Sequence, residues 1–284
     1  MTGADGQAGR ALQASTPPWV DLRCVTEGVL DIRDRSAVKD FVASQRPDVI
    51  VNAAAYTDVE RAEEDAETAH AVNAAGAENL AIAAGKSNAK MCHISTDYVF
   101  DTKLAVPIPP EHPCDPASVY GESKRAGEIR VMEALGDDCV IIRTSWLYYQ
   151  QGHNFVETML RLMAERDEIR VIADQFGAPT WAATLAKAIW ACLRVGATGL
   201  HHWRDAGIAS WYDFAVAIAE IGYATGRLDR MPAVVPITTD EYPTKARRPV
   251  FSLLDTRHTE RVFGLTARHW RTELSQMMGQ ISNA

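Results

Sequence analysis

Two residues four apart carry the clearest chemical signal in the sequence: Tyr120 and Lys124 in "VYGESKRAGE". The segment reads as helix, and that spacing sets the phenol and the ammonium on one helical face. A phenol with its ordinary pKa of about 10 is a poor proton relay at neutral pH. A lysine charge about 4 Å away, at an effective dielectric of about 20, supplies up to about 4 kcal/mol, while one pKa unit needs about 1.4. The spacing therefore predicts a tyrosine made acidic by its lysine and working as a general acid or base. A bare YxxxK is more often a chance surface pairing, so its weight rests on its surroundings. Upstream, "HISTDYVF" places Ser95 and Thr96 just past a buried strand, where hydroxyls of an open parallel sheet face a ligand cleft.

A second constellation lies at Gly3, Gly6 and Gly9 of "MTGADGQAG", spaced as GxxGxxG ahead of a helical run from Gln7. Glycines in such a turn accept positive φ and let a diphosphate reach backbone N–H groups, and the helix N-terminus attracts the anion. Alone the pattern is weak; with strand-helix units downstream it points to a dinucleotide. Asp31 and Glu27 are candidates for adenosine hydroxyls, a solvated turn carboxylate being the plainer reading of either. His201-His202 invites a metal reading, but neighbours on a strand point to opposite faces, so no metal ligands are expected there.

The elements that must position these residues follow from the hydrophobic pattern. Runs apolar throughout, "DVIV" and "CVII", alternate with helical stretches such as "AETAHAVNAAGAENLAIAAG" and "SKRAGEIRVMEAL". That order implies an α/β fold with a doubly wound parallel sheet. After residue 146 the rhythm loosens: "NFVETMLRLMAERD" reads as an amphipathic helix, "GLHHW" as a returning strand and "SWYDFAVAIAEIG" as a Ser-capped helix. The proline-bearing stretch 231–252 reads as a ligand-covering loop. A dinucleotide-binding Rossmann domain is expected over 1–146, with 172–204 returning to it. A smaller interleaved α/β substrate lobe is expected from 147–171 and 205–284.

Composition narrows the class. At 284 residues and 47% hydrophobic the chain can build a sizeable core, and a net charge of -8 argues against a general nucleic-acid or anionic-membrane binder. Five scattered cysteines without a CxxC pair fit a reducing cytoplasm better than a disulfide framework. No apolar run approaches the roughly 18 residues of a membrane span, and the first residues are too polar for a secretory signal.

Together with "VNAAAYTDVERAE", "STDYVFD", "IIRTSWLY", "DQFGAPT" and "RRPVFSLLDT", these segments resemble the dTDP-4-dehydrorhamnose reductases, a branch of the extended short-chain dehydrogenase/reductases, over essentially the whole chain. The resemblance implies that Thr96, Tyr120 and Lys124 form a catalytic triad, with NADPH or NADH reducing the C4 ketone of dTDP-4-dehydro-L-rhamnose. Thr96 would bond the carbonyl, Tyr120 would protonate the alkoxide, and Lys124 would hold the nicotinamide ribose. It implies cofactor contacts at Gly3, Gly6, Gln7, Asp31, Ile32, Asn52, Ala53, Ala54 and Ala55, beside Tyr120 and Lys124. On the substrate side it implies Trp146, the loop 148–155 with Asn154, and Arg247 or Arg248 on the diphosphate. Asn73 matches an active-site asparagine, with capping or packing a comparable role.

Some relatives use Mg2+ at a glutamate-lined dimer contact; no glutamate here can be matched to it, so Mg2+ and a homodimer stay options that no residue places. Glu27 would repel a 2′-phosphate while Arg23, Arg33 and Arg35 would attract one, leaving NADH against NADPH open. Relatives carry a buried strand before the glycine turn, and Met1 stands where its end falls. A central first strand cut short is therefore expected, at a cost of roughly 10 kcal/mol for about five buried side chains. Two other functions compete. An epimerase or dehydratase of another nucleotide sugar could use the same triad, against which STDYVFD and DQFGAPT speak. A non-catalytic dinucleotide-binding regulatory subunit would have no need of an intact triad.

Overall fold

The apolar runs become strands because each is covered on both faces. In the computed structural model, which describes residues 1–102 and 105–281, Val49–Asn52 (β1), Lys90–Thr96 (β2) and Cys139–Thr144 (β3) pair in parallel in the order β1-β2-β3. Gly199–His202 (β4) adds in parallel beyond β3. Successive residues face opposite layers. Val51, Cys92, Val140 and Ile142 pack with Leu12, Leu185 and Ile189, whereas Ile50, Met91 and Cys139 pack with Val38, Leu80 and Val131. Helices Gln7–Ala14 and Ala182–Val195 supply the first layer, and Arg35–Gln45, Ala77–Lys86 and Val119–Leu135 the second. This is a doubly wound, Rossmann-type sheet.

Thr2 lies beside β1, bridging Asn52 on one side and Val25 on the other. Its N–H donates to Val51 O at 3.0 Å, and Ala4 N–H donates to Val25 O at 3.2 Å. These contacts hold the glycine-turn end of the slot expected to be short of a strand. A cavity of about 440 Å³ runs alongside, lined in part by Met1, Val20, Leu22, Val49, Val51 and Trp190.

Beyond the sheet, Glu168–Ile172 and Ala233–Ile237 pair in parallel, and helix Trp211–Ala224 packs on both strands and on helix Phe155–Glu165. Ser210 and Asp213 close a capping box at the start of Trp211–Ala224, as the Ser-capped pattern predicts. The two histidines of β4 are packing residues. His202 is buried against Phe100 with Nδ1 3.1 Å from Ile108 O, and burial pushes its pKa down to about 3. His201 packs on Phe263 and His258. Among the described residues, no helix is long and apolar enough to cross a membrane. Among the same residues, no group of three or more His, Cys, Asp or Glu side chains is placed to hold a metal ion.

Candidate active site

Thr96 ends β2 and Thr144 ends β3, and both border a cavity of about 840 Å³. Ligands of open parallel sheets bind outside such carboxyl ends. Gly3, Gly6, Gln7, Asp31, Ile32 and Ala53 to Ala55 line it, as do Thr96, Tyr120 and Lys124, and so do Trp146, Trp211 and Arg248.

The glycine turn fits a dinucleotide. Gly3 has φ +66°, and a Cβ there would lie 2.5 Å from the Ala53 carbonyl, so only glycine lets the turn close on the Ala53–Ala55 loop. Helix Gln7–Ala14 starts at Gly6 without a side-chain cap. Its uncapped first turn borders the cavity, which leaves N–H groups and the positive dipole end for a phosphate. Asp31 is gripped by Arg33, whose Nε and NH2 donate at 2.9 and 2.7 Å, and that hydrogen bonding holds the carboxyl below its ordinary pKa. Glu27 stands 3.6 Å from the same guanidinium. Asn52 is not among the lining residues. It accepts from Thr2 Oγ1 at 2.7 Å and from Ala54 N–H at 3.1 Å, so it shapes the loop from behind.

Helix Val119–Leu135 carries the tyrosine and lysine. Its start is fixed twice: Ser118 Oγ accepts from Gly121 N–H at 3.2 Å, and Glu63 Oε1 accepts from Val119 N–H at 2.9 Å. A Cβ on Gly121 would lie 2.2 Å from Tyr98 O, so glycine is what lets this helix reach the strand-end loop. Asn73 is buried in a π-helical turn, where it accepts from Tyr56 N–H at 2.9 Å and donates to Ser123 Oγ at 2.9 Å. It ties loop to helix rather than lining the cavity.

Lys124 Nζ donates to Ile94 O at 2.7 Å. Burial lowers its pKa to about 8, with the Glu128 charge pulling the other way. For Tyr120, burial pushes the phenol well above its ordinary value, against a hydrogen bond with Thr96. The predicted acidification of Tyr120 by Lys124 is thus not what the structure shows. Desolvation of the phenolate dominates, and the ammonium is turned onto a backbone carbonyl.

On the lobe side Trp146 sits at φ +46° and stacks on Trp211 with ring centroids 3.6 Å apart. Such backbone strain persists where surrounding packing imposes it, and it clusters at ligand sites. Asn154 does not reach the cavity, because it caps helix Phe155–Glu165 and donates to Tyr149 O at 2.8 Å. Its neighbours Gln151, Gly152, His153 and Phe155 do line the cavity. Of the two arginines, Arg247 is mostly exposed and paired with Asp101 at 2.8 Å, whereas Arg248 lines the cavity.

Sequence reasoning missed two groups. Asp97 is buried between Thr96 and Ser252, whose Oγ donates at 2.5 Å, and burial raises its carboxyl to about 7. Glu128 accepts Arg143 Nε and NH2, both at 2.7 Å, behind Lys124. The second had a signal, since Glu128 continues the four-residue stripe from Tyr120 and Lys124.

The RmlD substrate binding domain model matches residues 1–283. A dTDP-4-dehydrorhamnose reductase of Aggregatibacter actinomycetemcomitans is 38% identical over 285 residues, covering 98% of this chain and 97% of the relative. A dTDP-4-keto-6-deoxy-D-glucose reductase of Streptomyces niveus is 39% identical over 279 residues, covering 97% and 94%. The crystal structure of dTDP-4-dehydrorhamnose reductase from Bacillus anthracis in complex with NADP superposes with a TM-score of 0.92 at 37% identity, covering 98% of this chain and 97% of that one. With the triad, the glycine turn and the lobe tryptophans all bordering one cavity, and these alignments running nearly end to end, the chain belongs to the RmlD family of dTDP-4-dehydrorhamnose reductases.

Proposed function

We infer that the chain reduces dTDP-4-dehydro-L-rhamnose to dTDP-L-rhamnose with NAD(P)H, for nucleotide-sugar and cell-surface polysaccharide synthesis. The observation that carries this reading is the convergence of Thr96, Tyr120 and Lys124 on a cavity that an anion-accepting glycine turn and Arg248 also line. Bound NAD(P)H supplies the hydride. The Tyr120 phenol, kept protonated by burial, is a ready donor: a ketone oxygen that becomes an alkoxide is a far stronger base, and the proton passes to it. Thr96, beside the phenol, turns its single hydroxyl proton from Asp97 Oδ1 to the same oxygen. Lys124 presents its ammonium to the ribose side, where its charge also favours the phenolate left behind.

The Streptomyces niveus relative favours a second substrate, the corresponding 4-keto-6-deoxy-D-glucose nucleotide, which carries its ketone at the same C4 position. Following loss of reduced-cofactor absorbance with each 4-keto sugar nucleotide, and with NADH and NADPH in turn, separates the two. Turnover of dTDP-4-dehydro-L-rhamnose that disappears in Tyr120→Phe is expected; unchanged turnover in that variant overturns the mechanism.

A further inference from the structure

The stretch from Lys245 to Arg248, whose Arg248 lines the cavity, is tied as a strap to one carboxylate on the cofactor-binding domain. Glu60, in helix Val59–Ala62, accepts from Lys245 N–H at 2.9 Å and Ala246 N–H at 3.4 Å through Oε2, and from Arg248 NH2 at 2.9 Å through Oε1. Burial raises the Glu60 carboxyl, but these hydrogen bonds outweigh it and hold the group below its ordinary pKa. It is therefore charged at neutral pH. Lys245 pairs with Glu64 and Arg247 with Asp101, flanking the same junction.

Arg248 is consequently divided. One terminal nitrogen is committed to Glu60, and a hydrogen bond reaches Tyr98, whose ring lies edge-on to Tyr120 with centroids 5.4 Å apart. The remaining Nε is buried without a partner, on a side chain that lines the cavity. The side chain is about a quarter exposed, so other parts of the guanidinium meet the cavity, and a planar guanidinium suits a phosphate group. We propose that Glu60 is a positioning residue for the substrate's diphosphate: by clamping residues 245–246 and one terminal nitrogen of Arg248, it holds the guanidinium at the cavity wall for a nucleoside diphosphate. The proposal rests on the nucleotide-sugar reading of this site. A carboxylate on the cofactor-binding domain thereby sets affinity for the other ligand.

Calorimetric titration of dTDP, which cannot be reduced, tests the clamp apart from the chemistry. Glu60→Gln keeps the side chain's shape and its acceptor for the strap N–H groups, but removes the charge. The expected result is dTDP affinity and sugar-nucleotide KM each weakened about tenfold, the loss expected for a charge-assisted contact, with kcat little changed. Dinucleotide affinity by fluorescence and the melting midpoint should stay the same. In an Arg248→Gln background the same substitution should add nothing, because its route is gone. Unchanged dTDP affinity in Glu60→Gln, or a loss that persists in full without Arg248, overturns the proposal while leaving the reductase reading intact. A parent protein that neither binds dTDP nor turns over either sugar nucleotide overturns both.

Discussion

At the scale of single residues, burial decides the chemistry more than charge pairing does. Tyr120 and Lys124 sit on one helical face as their spacing requires, yet the phenol is pushed up by desolvation and the lysine down to about 8. A phenol that stays protonated until an alkoxide forms, beside a lysine still mostly charged at neutral pH, is what the proposed proton transfer needs. Removing the phenolic proton in Tyr120→Phe is expected to lower kcat by about 10²- to 10⁴-fold, the usual contribution of a positioned acid. Asp97 behaves as a buried carboxyl should. Its pKa rises from 3.8 to about 7, so the folded protein holds more protons than the unfolded chain between those values. Its contribution is complete below pH 3.8 and is lost as pH rises through 7. Asp97→Asn should therefore narrow the fall in melting temperature across that window relative to the parent.

At the scale of elements, the helix Val119–Leu135 is the part that has to be right. Its first turn carries Tyr120, its second Lys124, and its third Glu128. Ser118 and Glu63 both satisfy N–H groups at its start, so Ser118→Ala should cost about 1 kcal/mol of stability, as lost caps do. It should also lower kcat, because fraying begins beside the phenol; urea titration and steady-state rates check the two separately. Gly121 and Gly3 are needed for close approach, one to Tyr98 and the other to Ala53. The turn chemistry at both places is legible as glycine, but the surface each glycine meets comes from a distant segment.

For the whole molecule, the interior ion pair of Glu128 and Arg143 joins that helix to β3, with Phe100 stacked on the guanidinium at 4.9 Å from its centroid. Both side chains are almost completely buried. Glu128→Gln should destabilise by about 3–5 kcal/mol, since a buried guanidinium loses its counter-charge. Replacing both partners, as Glu128→Leu with Arg143→Met, should recover much of that loss. Chemical denaturation of the parent, the single variant and the double variant measures this directly. The strap belongs to the same scale: Glu60, Glu64 and Asp101 pair with Lys245, Arg247 and Arg248, so charge ties segments more than 140 residues apart in sequence beside the cavity.

What local order along the chain determined is what depends on short-range periodicity. Apolar runs became β1 and β3, four-residue spacing put Tyr120 and Lys124 on one face, and Ser210 capped its helix. Motif order was enough to indicate the family. Tertiary structure alone decided which of two adjacent arginines faces the cavity, because that turns on a carboxylate 188 residues away in sequence. It likewise decided that Asn154 and Asn52 hold backbone, and that Asp97 is buried next to Thr96. Only it could show that the tyrosine is not acidified, since desolvation is a property of everything packed around a group and no spacing along the chain encodes it.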